Sequence, residues 1–492
     1  FIDQIIKRNP VCDDFNGVQI AIPRTVVLCT DIFDEFMESN NLYPTALSDL
    51  PDEEILQAFL RARLPEEVRD DLRALFDVVD NPLAVRSSSL LEDSHYQPFA
   101  GVYSTYMIPR LKDVDEMLTL LCDAIKGVYA SVFFADSKAY MNATSNVIDQ
   151  EKMAVILQEV VGEFHGDYYY PSFSGVGRSL NYYPINDEVA EEGVAEVAVG
   201  LGKYIVDGGM ALRFSPHHPD KVLQTSTLQL ALRDTQTFLY ALPSDGTGEA
   251  DNFQVNDSFN IARLNVSDTA KDGSLRYMVS TLDVNDMRLR DTDAGPGRKV
   301  VTFANVLRHN VFPLANCIDF MLTTGQYEMG RPVEIEFAGL IGPKASSSPD
   351  KGKLYWLQIR PIVDKKEMLD DTMLDVADDK LIMRSDTALG HGLMEGVRTI
   401  VYVRQENFDR MKNPEVAKEI EAINARMIAA GEPYILVGPG RWGSSDFALG
   451  VPVRWPQIAG ARLIVETAMP GYRIEPSQGT HFFQNLTSFG VG

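Results

Sequence analysis

PLAVRSSSLLEDSHYQPFAGVYSTY, residues 82–106, decides how the rest of the chain is read. Leu83-Ala84-Val85 is a short apolar run of strand type, yet it leads straight into Arg86 and the hydroxyls of Ser87, Ser88 and Ser89. Glu92 and Asp93 follow, then a small-residue turn, Phe99-Ala100-Gly101, and a second strand-like run. A strand that ends in a cation flanked by hydroxyls is either a solvated turn or one wall of an anion site. Arginine's planar fork matches phosphate oxygens, and a glycine lets backbone N–H groups approach them closely. The choice rests on whether other parts of the chain bring complementary groups.

Bulk properties remove several classes first. The net charge is −25, from 70 acids against 45 bases. That disfavours nucleic acid as the main partner, because phosphate backbones need cationic faces. It leaves room for a nucleotide, which needs only a local positive pocket. The four cysteines, at 12, 29, 122 and 317, show no C-x-x-C spacing. They argue against a disulfide framework or a cysteine zinc site and fit a cytoplasmic protein. No stretch approaches 18 uninterrupted apolar residues, so no membrane partner is expected. FIDQIIKRNP does not read as a signal peptide. The chain starts at Phe1 rather than Met, and is expected to be a processed, excised or partly recorded piece of something longer. With 492 residues, two to four domains are expected.

Residues 1–80 read mostly helical, 82–107 as strand, and LKDVDEMLTLLCDAIKGVYASVFFADSKAYMN as helix again. MAVILQEVV, SLNYYP and AEVAVGLG read as strands. Residues 210–300 are polar and weakly periodic. VEIEFAGLIG and KLYWLQIRPIV read as a hairpin around PKASSSPDKG. VDKKEMLDDTMLDVADDK reads as an acidic linker, and after it strand and helix alternate to the end.

The hairpin is the second clue. Alternate residues of a strand share a face. Val333, Ile335 and Phe337 should therefore point one way, and Glu334 and Glu336 the other. On the partner strand, Tyr355, Leu357 and Ile359 should face the core, with Gln358 and Arg360 opposite. The non-core face is either a solvated surface or a site in which the acids hold Mg2+ and Arg360 binds phosphate. Mg2+ takes oxygen ligands and reaches nucleotide phosphates through one or two carboxylates.

Two further signals are weaker. Gly438-Pro439-Gly440-Arg441-Trp442-Gly443 matches G-x-G-x-x-G after a strand, but a dinucleotide site needs a helix to open there. SSDFALGVPVRW, with Gly450 and Pro452, cannot supply one, so an ordinary loop is expected. The seven histidines show no metal spacing. His481, after Gly479-Thr480, opens a short helical run, where backbone N–H groups favour added negative charge.

Together these pieces resemble the phosphoenolpyruvate synthase and pyruvate phosphate dikinase family. Val85-Arg86-Ser87-Ser88, Glu92-Asp93 and Phe99-Ala100-Gly101 resemble its early segment. Glu334-Ile335-Glu336 and Gln358-Ile359-Arg360-Pro361 resemble its paired site strands. MAVILQEVV is similar to the strand beside adenine, Ser174-Gly175-Val176 to an S-G-V segment, and Gly200-Leu201-Gly202 to a G-L-G turn. The order and rough spacing hold over residues 15–363.

The resemblance implies an α+β and α/β multidomain protein. An ATP-grasp type nucleotide-binding domain would span 1–363, an acidic linker 364–380, and a smaller α/β swivelling domain 381–492. It implies ATP and Mg2+ as cofactors. Arg86, Ser87, Gly101, Thr105, Gln158, Glu334, Gln358 and Arg360 would bind nucleotide, and Glu336, with Glu334 and Gln358, would hold the metal. His481 would be the phosphorylated histidine, although FFQNLTS departs from the family's small Ala-rich helix. The acceptor, pyruvate or another small molecule, would bind a domain outside this chain, a Gly-Gly-Lys segment would precede residue 1, and a homodimer is admissible. Two other outcomes stay open: a relative acting on a glucan or drug hydroxyl, and an ATP-binding regulatory module without catalysis.

Overall fold

The computed structural model describes residues 1–89, 92, 101–144, 151–244, 260–362, 376–385, 388–389, 394–404, 408–468, 480–489 and 491–492. Asp93, Phe99, Ala100, His95, His391 and most of the acidic linker lie outside the described residues.

Two sheets build the N-terminal body. One has six strands, in the spatial order Val18–Ala21, Gly352–Pro361, Val333–Ile341, Phe173–Arg178, Val194–Ala198 and Leu212–Phe214. The other has four, in the order Thr25–Leu28, Met153–Glu159, Leu83–Ser89 and Tyr106–Ile108. The segment 1–80, expected to be mostly helical, therefore gives an edge strand to each sheet as well as helices. SLNYYP is not a strand; the strands between 160 and 200 are Glu163–His165, Tyr168–Tyr170, Phe173–Arg178 and Val194–Ala198.

The hairpin pairs as expected, with Glu334 opposite Arg360, Ile335 opposite Ile359 and Glu336 opposite Gln358. Beyond that the register shifts, so that Phe337 faces Trp356 and Leu357 is left over. This bulge corrects the expected alternation. Trp356 and Leu354 enter the core with Phe337, whereas Tyr355 lies opposite Ala338 on the other face. An inserted residue reverses the phase of every residue beyond it.

The helix Val114–Ser131 begins at Asp113, whose carboxylate accepts from the backbone N–H of Asp115 at 2.8 Å and Glu116 at 3.2 Å. Such a cap satisfies donors that the first turn leaves unpaired. With its continuation to Met141 this segment is long and apolar enough to cross a membrane, but 83% of its most apolar window is buried inside the protein. It is a core element: Tyr129 packs against Phe33 and Phe36.

At the C-terminus three parallel strands, Thr399–Tyr402, Tyr434–Pro439 and Ala461–Thr467, lie side by side. The helix Asn413–Ala430 connects the first two, with Pro414 in its first turn and Gly431 in the left-handed region just after its end. This is the strand–helix alternation expected from the sequence. No helix opens at Gly438–Gly443; the chain goes on as the short strand Arg441–Trp442. Trp442, Trp455, Tyr434 and Ile458 share one apolar core with Phe33, Tyr129, Val85 and Leu157. Arg441 donates to the carbonyls of Gly208 and Gly209 at 3.2 and 3.3 Å, and Ser445 Oγ to that of Asp207 at 2.5 Å. The C-terminal unit is thus seated on the N-terminal body.

Candidate nucleotide site

A cavity of about 230 Å³ lies between the two sheets and under the C-terminal unit. Its ends differ in chemistry. Ala84, Met107, Val160, Leu201 and Ile261 belong to one apolar cluster and make one end apolar. Arg86, Arg360, Lys203, Glu336, Gly101 and His481 line the other. An apolar slot continuous with a cationic one suits a ligand with a planar base and a polyanionic tail.

Strand geometry places the first of these groups. Arg86 lies opposite Ile156, and Ala84 opposite Gln158, on one face of the four-stranded sheet. Val85 and Leu157 pack into the core on the other. The Arg86 guanidinium donates to Glu336 Oε2 at 3.0 Å, to Gln358 Oε1, and to Gln158 Oε1 at 3.4 Å. It thereby ties the two sheets across the cleft. Arg360, 6% exposed, forms an ion pair with Glu92 at 3.8 Å.

The hairpin's polar face is therefore buried rather than solvated, and its two acids part company. Burial pushes the Glu336 carboxyl up, but Arg86 and Arg360 override that and hold it at about 2. Glu334 is 7% exposed, pairs with the buried Arg178, and is not part of the cavity wall. Its carboxyl is pushed up by burial, only partly offset by Arg178 and Arg360. Glu336 fits a metal ligand: it is ionised and faces the cavity. Glu334, engaged by Arg178, does not fit in this arrangement. Among the described residues no group of three or more His, Cys, Asp or Glu forms a metal cage, so a cation held here would draw most of its ligands from phosphate oxygens and water.

Ser87, Gly101, Thr105 and Gln158 all line the cavity. Gln158 also donates to Thr25 Oγ1 at 3.3 Å. Gln358 reaches the site through Arg86 rather than as part of the wall. Lys203 was missed; it directly follows the Gly200-Leu201-Gly202 turn, and that position was the available signal. It pairs with Asp207 at 3.0 Å.

His481 opens the helix His481–Phe489, and Thr480 Oγ1 accepts from the Phe483 backbone N–H at 3.0 Å. Its ring lies against Gly101, where a Cβ would come within 2.2 Å of Nδ1. Gly101 also sits at φ +66, a conformation side chains disfavour. Burial depresses the imidazole to about 4, helped by Arg360, Lys203 and Arg86 and opposed by Glu336. The ring is neutral at neutral pH, with a lone pair available.

Both shifts make the protein acid-sensitive. The unfolded chain protonates His481 near 6.5, the folded protein only near 4. Between those values the unfolded state binds more protons, so stability falls as pH drops. Glu336 adds to this lower down, its contribution present above 4.5 and lost as pH falls toward about 2. Thermal melts should show Tm declining below about pH 6.5. In His481→Asn the upper part of that decline should be reduced; an unchanged profile would contradict the assignment.

Residues 13–380 match the family described as pyruvate phosphate dikinase, AMP/ATP-binding domain. The chain is similar to an uncharacterized phosphotransferase YvkC of Bacillus subtilis (strain 168), with 26% identity over 194 residues, 39% of this chain and 21% of the relative. It is also similar to a phosphoenolpyruvate synthase of Aeropyrum pernix, with 28% identity over 183 residues, 34% of this chain and 20% of the relative. The aligned stretch thus spans about a fifth of the length of these curated relatives.

Proposed function

Since the chain belongs to the pyruvate phosphate dikinase AMP/ATP-binding family, we propose that it binds ATP in the cavity between its sheets and phosphorylates His481. Family membership and the relatives' names support ATP-dependent phosphotransfer as the class of reaction. The observation that carries the finer reading is the meeting of His481 with Arg86, Arg360 and Glu336 in one cavity.

In this reading the adenine lies at the Ala84–Leu201 end, beside the strand that carries Gln158. The phosphates lie toward Arg86, Arg360 and Lys203, with Ser87, Gly101 and Thr105 as close contacts. An His481 ring nitrogen attacks phosphorus with its lone pair. The P–N bond forms as the P–O bond to the departing phosphate breaks, and that oxygen keeps the electron pair. The proton on the other ring nitrogen is then released. The cations stabilise the charge spread over the transferring group, and such placement does most of the work of phosphoryl transfer. Mg2+, held through Glu336, would supply further charge neutralisation on the phosphates.

We assign residues 1–363 to an ATP-grasp type body and 381–492 to a swivelling unit that would carry the phosphorylated histidine out of the cleft. The acceptor would be pyruvate, in the cytoplasm. The test is incubation with ATP labelled at its β- and γ-phosphates. One acid-labile, base-stable phosphate should form and map to His481. Glu336→Gln should weaken the Mg2+ dependence of ATP binding, read as a flatter binding-versus-metal curve; an unaltered curve would remove Glu336 from the metal's ligands.

A further inference from the structure

Three consecutive side chains at the head of the histidine helix each occupy a different seat. The His481 ring lies over Gly101. The Phe482 ring lies over Gly443, where a Cβ would come within 2.2 Å of Cγ. Phe483 is buried, its ring centroid 4.9 Å from the Arg178 guanidinium carbon and 5.7 and 6.0 Å from the Tyr182 and Tyr183 rings. Arg178 is itself 2% exposed and pairs with Glu334, two residues before Glu336 on the same strand. A continuous run of contacts thus leads from the strand that carries Glu336, through Arg178, to the residue two beyond His481.

Successive helical residues project about 100° apart, so three seats on consecutive residues restrain the first turn in rotation as well as in tilt. An alanine-rich helix would have no such anchors. The unusual aromatic pair after the histidine has a physical use here, and so does the acid that does not line the cavity.

We propose that Arg178 and Phe483 are positioning residues: the Glu334–Arg178 pair forms a platform which, through Phe483, holds the His481 imidazole over Gly101 and in line with the phosphate-binding cations. Neither side chain touches the reacting atoms. The consequence for catalysis rests on the reading of His481 as phosphoryl acceptor; the placement of the ring does not.

The test compares the full chain with Phe483→Leu, which keeps bulk but loses the aromatic face, Phe483→Tyr, which keeps the face, and Arg178→Lys, which keeps a partner for Glu334 but loses the planar guanidinium. Two readouts are needed. One is the rate at which diethyl pyrocarbonate modifies His481, followed by peptide mass spectrometry without nucleotide. The other is the single-turnover rate of His481 labelling alongside the Kd for ATP. In Phe483→Leu and Arg178→Lys, His481 modification should accelerate several-fold and labelling should slow by about 10²-fold, the scale of a small misplacement of a reacting group. The Kd for ATP should stay within about twofold, since these residues make no part of the cavity wall, and Phe483→Tyr should behave like the parent chain. Unchanged modification and labelling in both disruptive variants would overturn the proposal, as would an equal loss in Phe483→Tyr. If Phe483→Leu does not fold, Arg178→Lys decides. If the parent chain takes no label while the modification rates shift as expected, the phosphohistidine reading fails and the positioning role stands.

Discussion

His481→Ala should abolish phosphate labelling while leaving ATP bound. The ring is a wall of the cavity rather than a member of a core, and its removal deletes the lone pair without deleting any of the three cations around it. No label should form above background, because the nitrogen that would carry the phosphate through a P–N bond is gone. The Kd for ATP should change by no more than about threefold, because the nucleotide contacts come from other side chains. A label that persists in His481→Ala but disappears in His391→Ala would move the acceptor to a residue outside the described structure. Loss of ATP binding together with the label would show that His481 serves the nucleotide instead.

The second large effect belongs to the arginines. Arg86→Ala and Arg360→Ala should each slow transfer by about 10³-fold, since phosphate-clamping arginines contribute on that scale. Lysine should rescue poorly, because it carries no fork and cannot bridge Glu336, Gln358 and Gln158 as Arg86 does. The two substitutions should differ in stability. Arg86→Ala leaves Glu336 among fewer cations and should raise its carboxyl from about 2. Loss of that charge-assisted pair should cost about 1–3 kcal/mol, less if water enters, since both partners retain some exposure. Calorimetry would read the cost, and single-turnover labelling the rate. Wild-type turnover in both alanine variants would remove the phosphate site as described.

Several features of this protein were legible because they are written in short-range patterns. The hairpin Val333–Ile341 with Gly352–Pro361 and the common face of Glu334, Glu336, Gln358 and Arg360 follow from a period of two. The helix Asn413–Ala430 follows from its early proline and terminal glycine, and the start of the last helix at His481 from the preceding loop. Each depends on a residue and its near neighbours, whose spacing the backbone fixes locally. Other features depend on what packs across from a side chain. Glu334 and Glu336 are equivalent in the sequence; Arg178 on a neighbouring strand takes one, and Arg86 from the other sheet takes the second. The bulge at Leu357 has no mark of its own, since an extra residue is defined only by the partner strand it faces. Lys203 carries no motif and matters through the turn that aims it into the cavity. The close approach of His481 to Gly101 is the furthest from local pattern. It requires a shared apolar core to seat the C-terminal unit on the body, and it is only there that burial and neighbouring cations keep the histidine neutral to lower pH than usual.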